Sequence, residues 1–284
     1  VTAVLTVACA LLSSLANAAG TVLQRKAGRA VPESHAFSAR LMGDLLRSPA
    51  WLAGMAAEIC GAALQGLALS LGSLALVQPI FVSELPFALV IGCLVFHRTL
   101  PVAGWAAVVS IAAGLALGLA AAAPSGGHTD VEPGLWALAL TVGGGASALC
   151  VLGALRHPRG KARAFLFGAS AAIAYALTAV LMKAAATTFS LHGAGAFFTS
   201  WQTYAFAVAG ACSLFLVSNA MESGPIVASQ PALTLGDALV SLFFGVLLYE
   251  EHLRTGWWLL PEAVGAVLVI GGTLVLPRVG ADTA

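Results

Sequence analysis

Two carboxylates stand near the middle of long apolar runs, Glu84 within residues 74–96 and Asp237 within residues 224–249. Each follows a Gln-Pro pair, Gln78-Pro79 in the first run and Gln230-Pro231 in the second. An acid at bilayer depth costs roughly 2.5–3.5 kcal/mol on insertion scales, so its presence implies a task such as holding a proton, a metal ion or the cationic group of a solute. Pro79, Pro86 and Pro231 add a backbone component, because proline has no N–H and crowds the carbonyl four residues earlier. The carbonyls of Ala75, Val82 and Val227 are therefore expected to be free to bind a cation, and the three prolines to act as helix hinges.

Other polar residues recur at helical spacing around the acids. Gln230, Thr234, Asp237 and Ser241 fall on one helical face, and Glu58 and Gln65 lie seven apart on another helix. Ser13, Asn17, Thr21 and Gln24 form a third stripe. Polar groups face lipid only at a cost, so these stripes are expected to meet one another or a wet cavity. Glu84, Asp237, Gln230, Thr234, Glu58, Gln65 and Asn17 are the predicted substrate or ion pathway. For the uncharged members the alternative is interhelical hydrogen bonding, worth about 0.6 kcal/mol per bond. Ser13, Thr21 and Ser241 are read as structural, since small hydroxyls bond back to their own helix. Glu262 is read as interfacial, and Tyr175 and Tyr204 as packing residues.

The elements that must hold these residues follow from composition. Of 284 residues, 60% are hydrophobic and 9% charged, against about 25% charged in soluble domains. Bilayer must therefore be the solvent. A net charge of +1 gives no basis for nucleic-acid binding. The five cysteines stand alone in apolar runs, and the histidines show no metal-motif spacing. No phosphate loop, zinc-protease motif or nucleophile elbow is present, so neither a catalytic residue nor a cofactor is predicted, and the chain is not expected to be an enzyme. A basic leader of the secretory kind is not read at the start.

A span needs about 20 mostly apolar residues. Nine are predicted, at 1–22, 51–70, 74–96, 102–122, 134–155, 164–186, 201–219, 224–249 and 257–276. Run length argues for helices throughout. With nine spans, all of the 13 Lys and Arg except Lys183 and Arg254 fall on the side of the C-terminus. The positive-inside rule then puts the N-terminus outside and the C-terminus in the cytoplasm. Residues 37–46 are read as a short interfacial helix, and 124–133 and 187–199 as outer loops.

The first and sixth spans end alike, in Thr21-Val22-Leu23-Gln24-Arg25-Lys26-Ala27 and Thr178-Ala179-Val180-Leu181-Met182-Lys183-Ala184. Trp51 and Trp201 open the second and seventh, Gln-Pro marks the third and eighth, and Gly104-Trp105 and Gly256-Trp257 open the fourth and ninth. This order predicts a first repeat over 1–122, a linker span at 134–155 and a second, inverted repeat over 164–278. Inverted repeats are a recurring transporter architecture, with the site at the repeat interface.

The chain resembles the drug/metabolite transporter (EamA-like) superfamily, and its layout is most similar to NIPA-type magnesium transporters. The likeness lies in Gln24-Arg25-Lys26, the Trp51 start, Leu74-Ala75-Leu76-Val77-Gln78-Pro79, Asn219-Ala220-Met221 and residues 227–231. EamA-like repeats often carry a Glu just past the helix matching spans three and eight; here the second copy has Glu250-Glu251-His252-Leu253 and the first His97-Arg98-Thr99-Leu100. The resemblance implies a multi-pass secondary-active transporter of the cytoplasmic membrane. It would move a small polar solute or metabolite by alternating access, coupled to protons or cations, with membrane lipids as its surroundings. The alternatives are a magnesium or other divalent-cation transporter and a non-transporting scaffold or lipid-handling protein.

Overall fold

A computed structural model describes residues 2–30, 47–97, 99, 101–123, 131–223, 226–254 and 256–282. The side chains of Arg25, Gln230 and Pro231 and of residues 28–30, 222, 226–228 and 276–282 lie outside that description, as do the expected interfacial helix at 37–46 and most of the loop at 124–133. Among the described residues the chain is all-helical, and 9 helical segments are long and apolar enough to cross a membrane. The helices are α1 Thr2–Ala30, α2 Pro49–Leu71, α3 Leu74–Phe81, α4 Glu84–Val95, α5 Val102–Ala122, α6 Pro133–Arg156, α7 Lys161–Thr199, α8 Trp201–Ser223, α9 Ile226–Tyr249 and α10 Leu259–Asp282. Large side chains such as Val109, Leu149, Phe215 and Val267 point outward from the bundle, as a lipid-facing belt requires.

Local sequence accounts for the helix starts. Ser48 caps α2, its side chain accepting from the Trp51 N–H at 3.4 Å, and Pro49 occupies the first turn, where a missing N–H costs nothing. Ser73 caps α3 in the same way, accepting from the Leu76 N–H at 3.2 Å. The expected third span is not one helix but two, α3 and α4, broken at Val82-Ser83. The turn there tightens to i→i+3 hydrogen bonds, Val82 N–H to Pro79 O (3.1 Å), Ser83 N–H to Ile80 O (2.9 Å) and Leu85 N–H to Val82 O (3.2 Å). The Val82 carbonyl is thus occupied rather than free, which corrects the expectation drawn from Pro86.

The segment 187–199 is helix rather than loop. α7 consists of two helical pieces that meet at a kink at Gly193; the longer, 161–192, reaches about 48 Å at 1.5 Å per residue, beyond the ~30 Å hydrocarbon core. Only Gly193 leaves helical geometry (φ 79, ψ −176), a conformation that glycine adopts without strain. Its neighbours Phe189, Leu191 and Phe198 are exposed and apolar, so a helical extension can lie at the membrane surface.

α1 packs along α2, α7 along α8 and α9, and α5 along α10. Glycines permit the closest of these approaches. A Cβ on Gly265 would stand 2.6 Å from the Gly114 carbonyl oxygen and 2.7 Å from the Gly118 nitrogen, so α5 and α10 meet backbone to backbone. One end of the bundle is filled by a core of Cys9, Ala10, Leu69, Leu74, Val77, Val180, Leu181, Leu248 and Tyr249. This core draws on α1, α2, α3, α7 and α9 together.

Candidate functional site

Further along those same helices the core gives way to a cavity of about 440 Å³. On α1 the lining passes from buried Cys9 and Ala10 to Asn17 and Thr21, and on α2 from Leu69 to Gln65 and Glu58. On α3 and α4 it passes from Leu74 and Val77 to Gln78, Phe81, Glu84 and Leu85; on α9, from Leu248 and Phe244 to Asp237, Thr234 and Leu233. Tyr175 of α7 and Leu214 of α8 complete the wall. The chamber is therefore sealed at the end that carries Leu74 and Tyr249 and lies on the other side of that seal.

Glu84 opens α4 immediately after the break, where an acid is favoured by the helix dipole. Its carboxylate shares the chamber wall with Asn17 and feels the charge of Glu58. Two glycines make room for this arrangement. A methyl group on Gly61 would collide with the Asn17 carboxamide, and one on Gly20 would stand 2.6 Å from Glu58 Cγ. Asp237, on the facing helix, takes a hydrogen bond from Ser241 Oγ at 3.2 Å and interacts electrostatically with Glu84. Tyr175 lines the same chamber as Glu84, Asp237 and Glu58 and feels the charge of all three. Gln78 is buried, and its Nε2 has no partner among the described residues.

Of the predicted pathway residues, Glu84, Asp237, Thr234, Glu58, Gln65 and Asn17 line this one cavity. Gln230 lies on α9 one turn before Thr234, with its side chain outside the description. Among the expected hinges, Pro79 lines a separate apolar fissure of about 230 Å³ beside α5 and α10, and Pro86 is buried in α4; the break falls between them. Ser13 is structural as expected, bonding the Gly61 carbonyl across helices at 2.7 Å. Thr21 instead lines the chamber, and Ser241 orients an acid.

Sequence reasoning passed over Gln78 and Tyr175 as site residues. For Tyr175 the available signal was its bulk among the alanines of α7; for Gln78 it was the polar half of the Gln-Pro pair itself. The described lining residues include three carboxylates and no Lys, Arg or His. Such a chamber attracts cations and can store protons. Among the described residues no three His, Cys, Asp or Glu side chains converge closely enough to hold a metal ion directly.

Known proteins add little to this geometry. An uncharacterized protein of Corynebacterium glutamicum is 25% identical over 281 residues, covering 96% of this chain and 95% of its own. No family model matches, and no solved structure does.

Proposed function

We propose that the protein is a secondary-active transporter of the cytoplasmic membrane that moves a small polar solute or cation by alternating access, with proton or cation coupling through Glu84 and Asp237. The observation that carries this reading is the shared chamber. Two acids from helices far apart in sequence line one cavity that is packed shut on one side.

The inverted repeat supports the same reading. α1 pairs with α2 as α7 pairs with α8, and α5 packs on α10 across the expected repeat boundary. His97 and Glu250, which end the Gln-Pro spans of the two halves, both adopt left-handed backbone, at φ 52 and φ 51. On this view the N-terminus is outside, the C-terminus cytoplasmic, and the drug/metabolite transporter superfamily the natural home of the chain. The split third span supplies the discontinuous helix that transporters of inverted-repeat design place beside their ions.

A scaffold role would be served by a dry interior, and a cavity rimmed by acids argues against it. Magnesium is retained as a candidate cargo, since it keeps several waters and needs few direct ligands. Solute flux in proteoliposomes tests the proposal. Glu84→Gln and Asp237→Asn should each remove most coupled uptake, and wild-type flux with wild-type pH dependence in both would refute it.

A further inference from the structure

The sealed end of the bundle holds a buried ion pair that the cavity does not use. Glu251, just past α9, is 1% exposed. One carboxylate oxygen meets Lys183 Nζ of α7 at 2.5 Å and the Leu74 N–H at 2.5 Å; the other accepts from the Ala75 N–H at 2.7 Å. Glu251 therefore caps the first turn of α3 while pairing with α7. Lys183 also sits over the Tyr249 ring, 4.3 Å from its centroid, and the Tyr249 hydroxyl donates to the Val180 carbonyl at 2.9 Å. Gly245 leaves the space, for a Cβ there would lie 2.5 Å from Glu251 Oε2.

We propose that the Lys183–Glu251 pair is the latch that holds this end of the transport chamber closed. It joins three of the elements whose convergence forms the seal: α3, α7 and the segment after α9. Opening that end must separate them, and separation exposes a charge pair to water, where each partner is solvated independently. Such a pair can be broken and remade, whereas an apolar plug of equal area would resist water entry throughout the cycle. The inference rests on the alternating-access reading.

Among the described residues the opposite end shows no matching pair. In the first repeat His97 is followed by Arg98 where Glu250 is followed by Glu251, and Lys26, the sequence counterpart of Lys183, is exposed. A cation cannot cap a helix N-terminus. The latch is thus one-sided, and it biases the resting protein toward closure at the Glu251 end.

Sided cysteine labelling tests it. With Cys9, Cys60, Cys93, Cys150 and Cys212 replaced and Gln65→Cys introduced, a membrane-impermeant maleimide is added to either face of proteoliposomes. With the pair intact, labelling should come from the face opposite Glu251. Lys183→Ala or Glu251→Gln should speed labelling from the Glu251 face by about tenfold or more, equivalent to a ~1.4 kcal/mol shift in the opening equilibrium, and Lys183→Arg should not. Unchanged labelling from the Glu251 face in Lys183→Ala would overturn the latch. Should Lys183→Ala fail to fold, Glu251→Asp decides the matter, since withdrawing the carboxylate by one methylene should raise the same rate and an unaltered rate rejects the idea. No solute enters the measurement, so the two readings separate. A latch that opens in a protein without flux refutes the carrier alone, and persistent flux with insensitive labelling refutes the latch alone.

Discussion

Asn17 of α1 and Glu84 at the start of α4 line the same chamber, the carboxamide on the side of the carboxylate. This neighbourhood sets a polar group of the first helix beside an acid that opens a helix just after a break. A hydrogen bond to a charged group is worth about 1.5–3 kcal/mol. Asn17→Ala should therefore weaken solute or coupling-ion binding by about tenfold or more. Gly61→Ala should do the same by a separate route, because its new methyl displaces the Asn17 carboxamide. Initial uptake rates against concentration check both; wild-type affinity in Gly61→Ala would show that Asn17 does not position the acid.

Gln78 makes the stability side of the site measurable. Its Nε2 is buried without a partner among the described residues, and an unsatisfied buried polar group costs about 1–3 kcal/mol. Gln78→Leu should raise the melting temperature of the detergent-solubilised protein while reducing flux, the trade-off expected of a residue kept for binding. A fall in both would mark Gln78 as a packing residue.

The span count and the acids as site candidates were legible because a membrane protein writes both in hydropathy; that the two acids share one chamber was left to the fold. Apolar runs of 20 residues and lone carboxylates within them have few soluble-protein explanations. What escaped was set by tertiary contact. The break at Val82-Ser83 falls between two prolines but on neither, since the turn relieves both by tightening to i→i+3 bonds. The helical structure of 187–199 hid behind Gly193 and Gly195: Gly193 does kink the chain, but helix resumes directly after it and runs through Gly195. Lys183 read as an exception to the charge rule and Glu251 as part of a repeat motif until the fold brought a residue from α7 and one from beyond α9 onto the start of α3. No local pattern records that meeting.

The α5–α10 contact gives a prediction free of any functional assumption. Gly265→Ala places a methyl group 2.6 Å from the Gly114 carbonyl oxygen and 2.7 Å from the Gly118 nitrogen, and backbone cannot step aside as a side chain would. Overpacking of this kind costs about 1–3 kcal/mol, so the melting temperature should fall. A Cβ on Gly118 meets nothing within 4 Å, and Gly118→Ala should leave stability within about 0.5 kcal/mol of wild type. Equal effects of the two substitutions would contradict the packing described.

Glu84 and Asp237 line one chamber and feel each other's charge, which fixes how their substitutions combine. Groups that act on one bound ion are coupled, whereas sites with no shared partner add within about 0.3–0.5 kcal/mol. Glu84→Gln and Asp237→Asn should each remove most coupled flux, and the double variant should lose little more than the worse single one. Its residual flux should no longer respond to pH, because both titratable carboxylates of the proposed coupling site are gone. Uptake measured across a pH series for the four proteins completes the cycle. Strict multiplication of the two losses would mean that each acid serves a separate ion, and the single coupling site proposed for the chamber would have to be abandoned.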